Sequence, residues 1–308
     1  LKDITELLNT KYPLIQGGMA NIATHELASA VSNAGGLGLI ASGAWDTDKI
    51  REEIRKTKEL TDNTFGVNIM LMSPHVEALT DLVIEENVKV VTTGAGNPGP
   101  YMEKWKKAGI TVIPVVPSVA LAKRVVRYGA DAVIVEGTEA GGHIGDTSTF
   151  SLVPQVADAV DVPVIAAGGI ADARGVDAAF ALGASGVQVG TVLLASEECP
   201  IHENYKQKIV KARDTDTIVT GRETKAPVRV IKNKMAKKYI ELSRQGVSLE
   251  ELEKMTLGSL GKAVFNGDAD EGSFMAGQVA GLVKSVRPVQ EILDDMFLHS
   301  RTYKECYA

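Results

Sequence analysis

Cysteine is almost absent from this chain of 308 residues. The two present, Cys199 and Cys306, fall in no paired motif. That excludes a disulfide scaffold and a cysteine-based zinc site, and it fits a reducing, cytoplasmic setting. No apolar run reaches membrane-spanning length and no signal-peptide pattern is present, so no membrane partner is expected. Positive charge is in deficit overall, with a net charge of −6, which gives no reason to expect a nucleic acid. Histidine is scarce: five residues, none at metal-ligand spacing, so no metal is expected. There is no G-x-S-x-G elbow and no nucleophilic triad. His25 and His75 stand at predicted helix starts and read as surface residues, while Met70 and Met72 read as core filler.

What is present is an ordinary globular composition, 44% hydrophobic and 23% charged. Short runs rich in β-branched residues recur: PLIQGG (13–18), LGLIAS (37–42), FGVNIML (65–71), VKVVTTGAG (88–96), TVIPVVPS (111–118), AVIVEG (132–137), PVIAAGGI (163–170) and GVQVGTVLLA (186–195). Helix patterning fills the intervals, as in HELASAVSNAG (25–35) and ALAKRVVRYGA (120–130), with capping signals at Ser118 and Asp172. Strands apolar on both faces that alternate with helices predict a parallel sheet covered by helices. Eight such units predict an α/β fold, a closed (β/α)8 (TIM) barrel, with an open doubly wound sheet as the structural alternative.

The pattern changes after Ala195. Residues 198–264 have few strand-like runs, and amphipathic helices are predicted over 234–246 and 248–265. The glycine-rich stretch GDADEGSFMAGQVAGLV (267–283) returns the chain to the barrel. The predicted division is therefore a barrel, 1–197 plus 265–308, with an inserted helical lid, 198–264. Residues 206–244 hold twelve Lys or Arg against four acids. Such a stretch reads either as a solvated face or as a docking surface for an acidic partner.

In a barrel of this type the chemistry sits at the C-terminal ends of the strands. Those ends supply Gly18 and Met19, Asn68, Glu136, Gly168 and Gly169, and Gln188, Gly190 and Thr191. Glycine loops after the seventh and eighth strands predict a phosphate cradle, with a helix opening near Asp172 to favour the anion. The competing reading is that these are tight turns only. The stretch VEGTEAGGHIGDTSTF (135–150) follows the sixth strand and sets His143 among Gly141, Gly142 and Gly145. An imidazole there can donate a proton or hold a substrate oxygen, or it can merely bond a neighbour at a helix start. Glu136 and Glu139 can orient this loop or contact a ligand hydroxyl, and Met275 is set apart by its place in the return segment.

The ordered set YPLIQGGMA, FGVNIMLMSP, VVTTGAGNP, IPVVPSVALAKR, EAGGHIG, PVIAAGGIAD, VQVGT and MAGQVAGLV resembles the FMN-dependent enoyl-acyl-carrier-protein reductase II enzymes, which belong with the nitronate monooxygenases. The resemblance runs from about residue 4 to about residue 294. It implies FMN at the barrel mouth, its phosphate at Gly168, Gly169, Gly190 and Thr191, and its ring beside Gly18, Met19 and Asn68. Glu136, Gly141, Gly142, Gln188 and Met275 complete the implied cofactor site. The resemblance places the catalytic or substrate-orienting group on His143. It further implies NADH or NADPH as reductant, an enoyl chain carried by acyl carrier protein as substrate, a homodimer, and a response to a monovalent cation. A nitronate monooxygenase using FMN and oxygen is the alternative activity, and a non-redox barrel binding a phosphorylated ligand is the third.

Overall fold

The computed structural model describes residues 3–43 and 45–307. All eight predicted runs form strands: β1 (Leu14–Gln16), β2 (Gly38–Ala41), β3 (Phe65–Met70), β4 (Val90–Gly94), β5 (Thr111–Val116), β6 (Val133–Glu136), β8 (Val164–Ala167) and β9 (Gly186–Val189). They pair in parallel in the order β1-β9-β8-β6-β5-β4-β3-β2. The sheet closes where Ile15 bridges Leu37. Backbone pairing is sparse at this seam, and the Gln16 side-chain amide completes it by donating to the Leu39 carbonyl (2.9 Å) and accepting from the Leu39 N–H (3.3 Å). The fold is a (β/α)8 barrel, as its pattern of runs predicts.

The residues separate into two cores. Ile15, Leu39, Val90, Ile113, Ile134 and Ile165 fill the barrel interior, and Ile4 and Leu8 of the first helix, Ile4–Leu8, join them. Each such fully buried side chain stabilises by roughly 1.5–3 kcal/mol. A larger cluster lies between the strands and the surrounding helices, and it includes Leu27, Val31, Val67, Trp105 and Val187. Helix starts follow the predicted caps. Ser118 Oγ accepts from the Leu121 N–H, and the Asp172 carboxylate accepts from the Arg174 and Gly175 N–H groups.

The stretch from 198 to 264 is less purely helical than its sequence predicts. It contains the helices Glu203–Val210, Lys234–Arg244, Leu249–Thr256 and Ser259–Asn266, the last ending just beyond it, but also an antiparallel hairpin of β10 (Thr217–Thr220) and β11 (Val228–Ile231). A third strand, β7 (Gly142–His143), joins that hairpin from the loop after β6. Among the described residues, no helix is long and apolar enough to cross a membrane.

Candidate active site at the barrel mouth

The register of the barrel sets the floor of the mouth. Glu136 pairs with Ala167 and Ala167 with Gln188, two residues beyond the buried Ile134 and Ile165. Side chains two apart on a strand share a face, so this row crowns the apolar interior. On the opposite wall Asn68 pairs with Thr92, and Asn68 Nδ2 donates to Thr92 Oγ1 at 2.8 Å. Asn68, Glu136 and Gln188 are thus brought into one polar layer. Among the described residues, neither the Glu136 carboxyl nor the Gln188 amide has a side-chain partner. Polar groups in such places ordinarily find one, here from a ligand or from water. Burial, with no cation beside it, pushes the Glu136 carboxyl up to about 7.

Above that layer the loops converge in a ring. A side chain at Gly18 would meet Asn68 Cγ at 2.4 Å, and one at Gly190 would touch Met19 Sδ at 3.4 Å. Thr191 Oγ1 accepts from the Gly277 N–H at 2.8 Å. A side chain at Gly141 would meet the Ala276 backbone at 2.6 Å, and one at Gly168 would meet the Gly137 carbonyl at 3.0 Å. The glycines named from the sequence are therefore points where one loop lies against the next.

Gly168 and Gly169 have φ of 91° and 81°, a conformation that favours glycine. Among the described residues, the N–H groups of Gly168, Gly169, Ile170, Gly190 and Thr191 meet no protein acceptor. Donors in two adjacent loops suit a single phosphate. At the start of the helix Ala173–Ala181 the Asp172 carboxylate accepts from the Arg174 and Gly175 N–H groups, so these two are already engaged. The loop amides remain open as donors.

His143 is not carried by a free loop or a helix start. Gly142 and His143 form β7, which pairs with Arg229 and Val228 of β11, and the Ile144 N–H donates to the Pro227 carbonyl at 3.1 Å. His143 is exposed at its surface, yet the surrounding protein removes enough water to lower its pKa below the ordinary imidazole value. It is neutral at pH 7, with one N–H to donate and one nitrogen to accept. Glu139 orients the loop: its carboxylate accepts from the Thr149 N–H (2.8 Å) and hydroxyl (2.9 Å), capping the helix Thr149–Ala157. Met275 lies beside Gly142, bridges Val230, and its carbonyl accepts from Tyr205 OH at 2.7 Å.

Several residues differ from expectation. Met72 is 73% exposed and Met70 half-buried, so neither is core filler. His25 is at a helix start but is no plain surface residue. Its ring Nδ1 lies 2.7 Å from the buried Glu53 and 3.1 Å from Glu26. These three could hold a metal by distance, although Glu53 is already met by the His25 N–H and by Lys49. Sequence spacing could not show this, since Glu53 comes from the next helix. Two of the twelve basic residues are structural. Lys206 Nζ donates to the Ser196 and Glu197 carbonyls, and Arg229 to the Thr138 carbonyl.

The Nitronate monooxygenase family model matches residues 2–80 and 76–299. The chain belongs to this family. The structure of FabK from Thermotoga maritima is 50% identical, covers 98% of this chain and 96% of that one, and superposes with a TM-score of 0.94. A probable nitronate monooxygenase of Staphylococcus saprophyticus is 36% identical over 91% of this chain and 92% of that protein. The (3aS,4S,5R,7aS)-5-hydroxy-7a-methyl-1-oxo-octahydro-1H-indene-4-carboxyl-CoA dehydrogenase of Rhodococcus jostii is 41% identical over 74% of this chain, and that match spans 65% of the dehydrogenase. The family carries oxidoreductases, and the polar layer and the loop amides described above form the candidate site in this member.

Proposed function

We propose that this protein is an FMN-dependent enoyl-thioester reductase that uses NADH or NADPH to reduce the trans-2 double bond of an acyl chain on acyl carrier protein. The likeness to FabK, an enoyl-acyl-carrier-protein reductase II, carries the reading, at 50% identity over nearly the whole of both chains. The site fits the cofactor. The unpaired amides of Gly168, Gly169, Gly190 and Thr191 make one phosphate cradle, and Gly18, Met19 and Asn68 border the space where a ring would lie. Bound there, FMN supplies hydride chemistry.

The protein's own groups supply the rest. Reduction places charge on the thioester oxygen, and a donor near that atom lowers the barrier. His143, neutral at pH 7, suits a hydrogen-bond donor rather than a cationic acid. Glu136 and Gln188 offer free polar atoms on the floor, and the β6 loop and return segment wall the space. The exposed lysines of the lid, Lys237 and Lys238 among them, complement an acidic carrier.

A second reading is a nitronate monooxygenase. The family and the Staphylococcus relative favour it, and a neutral imidazole at His143 is equally suited to act as a base. The purified protein should be yellow, release FMN in acid, and, without oxygen, turn over NADH or NADPH repeatedly only when a crotonyl thioester is supplied. Turnover of a nitronate with oxygen and none of the thioester would establish the second reading.

A further inference from the structure

We infer that Arg229 is a positioning residue for His143, holding the β6 loop against the lid hairpin at both its neck and its tip. The inference rests on the reading that His143 acts on the substrate. The loop has a neck where the Thr138 N–H donates to the Thr147 carbonyl at 2.9 Å. Its tip is β7, which lies against β11. Arg229 belongs to β11 and touches both places. Its backbone is the partner of Gly142, while its guanidinium reaches back to the neck and donates twice to the Thr138 carbonyl, from Nε (3.1 Å) and Nη2 (2.9 Å). The remaining Nη1 donates to Thr217 Oγ1 of β10 at 3.3 Å. One side chain therefore spans the neck of the loop and both strands of the hairpin.

The electrostatics of the site set this contact apart from an ordinary surface bond. Arg229 is only 6% exposed, and among the described residues no carboxylate lies within ion-pair distance of it. A buried cation without a counter-charge costs free energy, so simple stability is poorly served by it. Burial, with Arg222 nearby, lowers its pKa, and Glu139 partly offsets this. Glu139 itself is committed to capping Thr149. What the guanidinium achieves is geometric. Two N–H groups converging on one carbonyl fix the position of the loop neck more firmly than a single donor. The lid is thereby tied to the loop that bears His143, and cannot lift without unpairing β7. In the sequence Arg229 stands among the twelve Lys and Arg of 206–244, and its carbonyl partner lies 91 residues away.

The test uses the FMN-loaded protein and two variants, Arg229→Met and Arg229→Gln. Hydrogen–deuterium exchange should rise in 138–147 and stay unchanged in the barrel strands. Reoxidation of the reduced protein by a crotonyl thioester should slow by about 10- to 100-fold, the scale of a misplacement near 1 Å. Reduction by NADH should change less than about 3-fold. Adding Arg229→Met to His143→Ala should cause no further loss, because both changes remove the same contribution. Equal losses in both half-reactions, an additive double variant, or unchanged exchange in 138–147 would each overturn the inference. Should Arg229→Met fail to fold, Arg229→Gln decides by the same criteria. If His143→Ala alone leaves reoxidation intact, the role of His143 fails, while the exchange measurement still decides whether Arg229 holds the loop.

Discussion

The Thr191 hydroxyl accepts the backbone N–H of Gly277 at 2.8 Å. This bond joins the start of the short helix after β9 to the segment that follows the 198–264 stretch, and leaves the hydroxyl proton free for an anion. Thr191→Val keeps the branch and the volume but removes the hydroxyl whose proton is free to donate to the phosphate. A loss of about 1–2 kcal/mol is expected, so the Kd for FMN should rise roughly 5- to 30-fold. Thr191→Ser should restore it. Fluorescence titration of the apoprotein with FMN reads this directly, and an unchanged Kd in the valine variant would put the phosphate elsewhere.

Glu136 gives a pH dependence with a definite sign. Its folded-state pKa is raised by burial to about 7, against an ordinary carboxyl value near 4.3. The folded protein therefore binds more protons than the unfolded chain between these values. Its contribution is fully present below the lower value and is lost as pH rises to about 7. Glu136→Gln cannot titrate. The Tm difference between apo wild type and this variant should move in favour of the variant from pH 4.5 to 7.5, then level off. A constant difference across that range would mean that Glu136 titrates as an ordinary exposed carboxyl.

Two glycines of the mouth should behave oppositely. A methyl at Gly18 would lie 2.4 Å from Asn68 Cγ and must displace that side chain from Thr92, whereas a methyl at Gly94 meets nothing within 4 Å. Gly18→Ala should cost about 1–3 kcal/mol and weaken FMN binding. Gly94→Ala should stay within about 0.5 kcal/mol. Thermal unfolding of both, with and without FMN, checks the pair. Equal tolerance of both would mean that Asn68 is not held by this contact.

Much of this architecture is legible in the sequence because the barrel strands are buried on both faces. Their runs are continuous and β-branched, and glycine marks where loops meet, so Asn68, Glu136, Gln188, Gly190 and Thr191 can be placed at strand ends. The second sheet is not legible. TIVT and VRVI are four-residue strands set among Lys, Arg, Asp and Glu, and Gly142–His143 is a strand only because β11 lies beside it. The same tertiary pairing hides Arg229, which sits in the chain among surface cations. The Asp172 cap is legible from the sequence, but not which backbone N–H groups its carboxylate engages, those of Arg174 and Gly175.

The basic stretch 206–244 gives a kinetic prediction. Lys237 and Lys238 are exposed, while Lys234 pairs with Asp270. Reversal to Glu at Lys237 and Lys238 should lower kcat/KM for an enoyl chain on acyl carrier protein, and added salt should do the same, since complementary charge chiefly raises the encounter rate. A short enoyl thioester without the protein should respond little to either change. Parallel responses of the two substrates would make this face a solvated surface.

The most direct measurement is anaerobic stopped flow. The FMN-loaded protein is first reduced with NADH, then mixed separately with a crotonyl thioester and with a nitronate, following the flavin absorbance. An enoyl-thioester reductase is reoxidised rapidly by the thioester, and His143→Ala slows that step by roughly 10²–10⁴-fold while leaving the reduction by NADH nearly intact. No reduction by either NADH or NADPH, or a reduced flavin that persists in the presence of the thioester, would contradict the assignment.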